Sequence, residues 1–173
     1  MDKNHIIRRA NSSADAEKLH KLFTEVFHPD DVGSLAETMF KHLPGMENKY
    51  WFIVGEKQTG DIISAFALIP WVWELEGIKL KVAEMGIVGT LEKYRRQGLM
   101  RILNQEFDKT LQEDDFDIAI IQGIPGFYGQ FGYSYSIPLE NHINLPLHTI
   151  QPKEIERGCT FRLAGIEDIP FLM

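Results

Sequence analysis

Cysteine is almost absent: Cys159 is the single one in a chain of 173 residues. One thiol forms no internal disulfide, which sets the chain apart from disulfide-stapled secreted domains and reads as intracellular. Long apolar runs are missing too. The greasiest, residues 62–73, is broken by Ser64 and Pro70 and falls short of the roughly 20 residues a membrane-spanning helix needs. The start, Met1-Asp2-Lys3-Asn4-His5, carries no signal-peptide core, so a cytoplasmic protein without membrane contact is expected. Basic residues are the minority, 18 Lys and Arg against 25 Asp and Glu, giving a net charge of −7. Binding along a phosphate backbone needs clustered cations, so no nucleic-acid partner is expected. The scattered 14 Gly and 8 Pro exclude collagen-like and low-complexity chains. What remains is 44% apolar, enough for one compact domain that buries roughly 70% of its unfolded surface.

Periodicity orders the elements. Ile6-Ile7-Arg8-Arg9 reads as a strand, and Ser12 with Asp15 three residues on has capping-box spacing for a helix start. Leu19, Leu22, Phe23, Val26 and Phe27 then form one apolar helical stripe that ends at His28-Pro29. A second helix is expected over 34–43. Strands over 50–56, 61–75 and 78–90 follow, the last two joined by the tight turn Glu76-Gly77, as an antiparallel meander with one wet face. Beyond a polar loop, residues 91–97, Gly98 opens a helix carrying Leu99, Ile102, Leu103, Phe107 and Leu111. The unbroken run Asp117-Ile118-Ala119-Ile120-Ile121 reads as a parallel strand buried on both faces, completing a βαβ unit. Pro125 opens a further short helix through Phe131, and strands over 133–137 and 143–147 are expected to close the sheet. The fold class is α/β with a mixed sheet, antiparallel first and parallel at the end.

The stretch Thr90-Leu91-Glu92-Lys93-Tyr94-Arg95-Arg96-Gln97-Gly98-Leu99-Met100 leads from a strand through a loop into a helix N-terminus. Such a terminus has unpaired N–H groups and the positive end of the helix dipole, so it binds anions. Gly98 permits close backbone approach, and Arg95 and Arg96 add charge beside it. A pyrophosphate fits. With no G-x-x-x-x-G-K-[ST] and no G-x-G-x-x-G after a strand, the P-loop and the usual dinucleotide fingerprint are both excluded.

Arg95-x-x-Gly98-x-Met100 resembles the acetyl-CoA motif [QR]-x-x-G-x-[GA] of the GNAT superfamily of N-acetyltransferases. Met100 departs from it, and Glu92 stands where proline is common. Downstream, Phe127-Tyr128-Gly129-Gln130-Phe131-Gly132-Tyr133 resembles the superfamily's F-Y-x-x-x-G-F element. Within it, the pairing of Arg95-Arg96-Gln97-Gly98-Leu99 with Tyr128-Gly129-Gln130-Phe131-Gly132-Tyr133 resembles the enhanced-intracellular-survival-like tandem acetyltransferases. The echo of Ile7-Arg8-Arg9-Ala10 in Phe161-Arg162-Leu163-Ala164 fits that type. It implies an acetyltransferase domain over 1–150, with 151–173 a linker and the start of a second, truncated GNAT-like domain.

The resemblance implies parallel strands that splay apart at their C-terminal ends. Acetyl-CoA would lie between them, its pantetheine on the backbone of Val88 and Thr90. Arg95, Arg96, Gln97, Gly98, Leu99 and Met100 would hold its pyrophosphate. Tyr128 would protonate the departing thiolate, and Glu84 would take a proton from the acceptor, unless it is merely a solvent-facing strand residue. The implied reaction is acetyl transfer to a primary amine: a small cationic amine, an aminoglycoside-like amine or a lysine side chain. A non-catalytic acyl-CoA-binding or assembly module is the alternative, argued for by Met100. An α/β domain for another phosphorylated ligand is a third. A homo-oligomer remains open.

The remaining polar clusters read as ordinary. His28 with Asp30 and Asp31 lacks a closed ligand set, so no metal is expected. Glu113-Asp114-Asp115 reads as a solvated turn. Trp51, Trp71, Trp73 and Phe66 read as core or as the wall of an acceptor pocket.

Overall fold

Strand β4 (Ile78–Thr90) organises the molecule, because it pairs antiparallel with β3 (Ile62–Leu75) on one side and parallel with β5 (Ile118–Ile120) on the other. The computed structural model describes residues 4–124, 126–136, 146, 148 and 162–172. Its contacts divide the chain into two units, residues 1–137 and 138–173. In the first unit β1 (His5–Arg9) and β2 (Trp51–Glu56) complete a five-stranded sheet in sequence order, β1-β2-β3-β4-β5. Helices α1 (Ala14–Phe27) and α2 (Val32–His42) lie between β1 and β2 in sequence, and α3 (Leu99–Glu113) joins β4 to β5. The expected α/β architecture, a meander followed by a βαβ unit, is the one adopted.

Helices cover both faces of the sheet. One core gathers Leu19, Leu22 and Phe23 of α1 and Ala36 of α2 with Trp51, Ile53, Ala65 and Ile69. The other gathers Leu99, Leu103 and Phe107 of α3 with Phe52, Phe66, Leu68 and Met85. Phe52 and Phe66 stack at 4.7 Å and both rings meet Phe107; each buried aromatic contributes about 1.5–3 kcal/mol.

This two-sided cover corrects three expectations. The strands buried on both faces are β2 and the first half of β3, not β5, so the meander has no wet face over its inner half. β5 is the last strand at that side among the described residues, with Ile118 38% exposed. An apolar run signals low polarity but not where a strand stands in the sheet. Residues 133–136 form no strand, and the other residues expected to close the sheet, 137, 143–145 and 147, lie outside the described set.

Two local readings also change. Ser13, not Ser12, caps α1, and no side chain completes a capping box. Asp15 instead takes a two-pronged bond from Arg8 at 2.8 and 2.6 Å and a third from the Asn11 N–H. Asp114 is no idle turn residue: it accepts from the Tyr50 hydroxyl at 2.9 Å and pairs with Lys49 at 2.8 Å, tying the end of α3 to the start of β2.

Candidate active site

Val82, Ala83 and Glu84 of β4 pair with Ile118, Ala119 and Ile120 of β5, and the pairing stops there. β4 runs on to Thr90 without that partner, so a gap opens beyond Glu84. Within the free stretch, Ala65 pairs with Gly89 but Ala67 pairs with Gly86, leaving Phe66 opposite both Ile87 and Val88. This is a β-bulge, and Ile87 within it is left-handed, φ 51°. The bulge switches faces. Met85 and Val88, three residues apart, both pack on the α3 side, while Ile87 packs on the α1 side.

Beyond Thr90 a 3-10 turn (Glu92–Tyr94) reverses the chain, held by the Tyr94 hydroxyl on Glu56 at 3.0 Å. Arg95 turns back and donates its Nε to the Thr90 carbonyl at 3.2 Å, and Gln97 donates to the Lys93 carbonyl at 3.3 Å. Arg96 and Gly98 are left-handed, φ 62° and 76°. Gly98 caps α3 with no side chain of its own, so the first N–H groups of the helix stay open for an anion. A Cβ on Gly98 would meet nothing within 4 Å among the described residues. Met100, the departure from the motif, turns inward: its sulfur lies 4.0 Å from Ser64 Oγ, and it packs on the α3-side core. Ser64 in turn shares a 2.7 Å hydroxyl bond with Thr90. Val88, Thr90 and residues 95–100 thus form one continuous rim.

Tyr128 opens a 3-10 turn (Tyr128–Phe131) and packs against the α3-side core, on the side that Val88 faces. Burial pushes its hydroxyl above the ordinary phenol range, which keeps it a proton donor. Tyr133 stands edge-on to it at 6.2 Å. Glu84 lies on the other face, sharing the parity of its β3 partner Ile69, and accepts from the Trp71 indole at 2.7 Å. The structure therefore does not bring Tyr128 and Glu84 together; it sets them on opposite faces of the sheet beside one gap.

One supporting residue and one supporting contact escaped the sequence reading. Gly123 makes room for the Tyr128 ring, and Trp71 holds Glu84. No spacing signals the first; the shared face of Trp71 and Glu84 follows only once the β3–β4 register is known. Of the tryptophans and Phe66, Trp51 and Phe66 are core, whereas Trp71 and Trp73 are 42% and 38% exposed. Asp31 caps α2 by accepting from the Ser34 N–H, and among the described residues no His, Cys, Asp and Glu group is arranged to hold a metal. A surface hollow of about 640 Å3 along α1, lined by His20, Lys21, Thr24, Glu25 and His28, contains none of the candidate residues. Among the described residues no helix is long and apolar enough to cross a membrane.

The model of the acetyltransferase (GNAT) domain family matches residues 7–136. The chain belongs to that family. It is 28% identical over 156 residues to a beta-lysine N(6)-acetyltransferase of Methanococcus maripaludis, covering 84% of this chain and 52% of that protein. The chain thus spans about half the length of that relative. Among solved structures, the Escherichia coli GNAT family N-acetyltransferase YhbS in complex with CoA superposes with a TM-score of 0.62 at 25% identity, over 76% of this chain and 69% of that one. Eis1 of Mycobacterium abscessus superposes with a TM-score of 0.56 at 18% identity, over 75% of this chain and 31% of that one. The likeness to Eis1 is one of fold.

Proposed function

We propose that this GNAT domain binds acetyl-CoA in the gap between β4 and β5 and transfers the acetyl group to a primary amine. The observation that carries the reading is the meeting of the Ile87–Val88 bulge with the open N-terminus of α3 behind left-handed Gly98. The CoA in the YhbS structure supports it, as does the name of the M. maripaludis relative, which acts on an amine.

Acetyl-CoA supplies an activated thioester. Val88 and Thr90 offer backbone partners to its pantetheine, and the amides of Arg96, Gln97, Gly98, Leu99 and Met100 face its pyrophosphate. Arg96 adds charge there, while Arg95 secures the strand end through Thr90. Glu84 takes a proton from the incoming ammonium; the amine nitrogen bonds to the acyl carbon as the C–S bond breaks, Tyr128 protonates the leaving sulfur, and the second proton that the nitrogen sheds on becoming an amide restores the Tyr128 hydroxyl through solvent. The opposite-face arrangement suits this division of labour, with the acceptor on the α1 side and the proton donor on the α3 side. With Met100 turned into the core, the residue that argued for a non-catalytic binding module no longer obstructs the rim.

Residues 151–173 are read as a linker and the start of a second GNAT-like domain. Arg162 forks onto Asp168 and donates to the Leu163 carbonyl, while Asp168 also accepts from the Gly165 N–H. Arg8, Asp15, the Arg9 carbonyl and the Asn11 N–H make the same knot in the first unit.

The test measures thiol release from acetyl-CoA across a panel of amines, with calorimetry for CoA. Amine-dependent release is expected. Release indifferent to the acceptor, or no heat with CoA, would sink the reading.

A further inference from the structure

Glu84 stands in unusual company. Its Oε2 accepts from the Trp71 indole at 2.7 Å. No donor among the described residues reaches its Oε1, and no Lys or Arg among them pairs with it. Around it on the same face, the register sets Ile69 across on β3 and Ile120 across on β5. Trp71 and Trp73 follow along β3 with the parity of Ile69, each more than a third exposed. The carboxylate thus has one oxygen fixed by the Trp71 indole, with aliphatic side chains across from it on both neighbouring strands, and its other oxygen is available to a cation. It stands at the last paired residue before the gap, where an acceptor approaching from this face would pass.

We infer that Trp71 and Glu84 form the acceptor-recognition unit and that it selects an unbranched alkylammonium, the lysine-side-chain type, over an amino sugar. The inference rests on the proposed acetyl transfer and names its substrate class. Glu84 supplies the counter-charge, and its indole bond holds the carboxylate in one orientation. The flat Trp71 indole suits a polymethylene chain, and an ammonium beside tryptophan gains a cation–π contribution. A sugar amine brings hydroxyls, and the described residues around Glu84 offer them no partner but the one carboxylate; unpaired, they cost affinity. Trp71 is thus a positioning residue acting through Glu84 and a specificity residue through its ring.

The test reads binding apart from turnover. The three tryptophan indole N–H resonances are followed by NMR, Trp71 being identified by its loss in Trp71→Phe, during titration with 1,5-diaminopentane and with glucosamine, each with and without CoA. The Trp71 signal is expected to move with the diamine and to stay put with glucosamine. In steady state, Trp71→Phe keeps a ring but loses the N–H, and is expected to raise KM for the diamine about tenfold with KM for acetyl-CoA unchanged. An unmoved Trp71 signal, equal responses to both amines, or a Trp71→Phe enzyme with wild-type amine KM would overturn the inference. Failure of the acetyl-transfer reading shows differently, as absent CoA binding or thiol release while the amine titration still reports. Thermal melting of Trp71→Phe checks that the half-exposed position tolerates the change.

Discussion

Gly123 and Tyr128 are matched in space: a Cβ on Gly123 would lie 2.3 Å from Cε2 of the tyrosine ring. Glycine is therefore required here for close packing, since no left-handed backbone accounts for it. Gly123→Ala is expected to push the ring aside and cut kcat about as much as Tyr128→Phe does, by about 10²-fold, the usual scale for a lost acid catalyst. CoA affinity should hold in both. Calorimetry with stopped-assay kinetics checks it; a Tyr128→Phe enzyme of normal turnover would remove Tyr128 from the mechanism.

Met100 gives a prediction opposite to the one its place in the motif suggests. With its sulfur against Ser64, truncation to alanine empties packing space without widening the rim. Met100→Ala should lower stability by about 1–2 kcal/mol, less than a fully buried methionine would, and leave CoA affinity within about twofold. Denaturant melts and calorimetry read the two effects separately.

Gly98 has the complementary role. Its left-handed φ of 76° strains any other residue by about 1 kcal/mol. A new methyl meets nothing within 4 Å among the described residues, but stands where the proposed site takes the pyrophosphate. Gly98→Ala is expected to weaken CoA binding more than tenfold with a melting temperature lowered by only a few degrees. Equal loss of both would mean the glycine serves the fold alone.

Asp15 makes stability depend on acid. Burial works against its charge, but the bonds from Arg8 and Asn11 outweigh it and hold its carboxyl below the ordinary carboxylate range. A folded pKa below the unfolded one adds stability that is complete above about pH 4 and lost as pH falls through the folded value. Asp15→Asn should therefore cost about 2–3 kcal/mol at pH 7, leaving Arg8 with one prong. The gap from wild type should close below about pH 4. Urea melts across pH 3–7 test it, and a gap constant with pH would assign the effect to packing.

Much of the fold is legible in the amino-acid sequence. Period-3.6 stripes placed α1 and α3, the Glu76-Gly77 pair placed the hairpin, and Gly98 after the polar loop placed the start of α3. These signals are local: each is dictated by residues within one or two turns of chain. The misreadings arose where a residue's partner lies far off in sequence. Asp114 looked solvated because Lys49 and Tyr50 are more than sixty positions away. Asp15 sat at capping-box spacing, yet a strand arginine offered two charged bonds where a backbone N–H offered one.

The order of residues alone thus determined the family, the sequence of elements and the start of α3 behind Gly98, because helix periodicity, turn chemistry and a short contiguous motif need no long-range information. Only the tertiary structure decided which strands are enclosed, that β4 bulges where it leaves β5, that Met100 points inward, and that Tyr128 and Glu84 stand on opposite faces of one gap. Those facts depend on register and on which helix covers which face, and pairing across the sheet sets both.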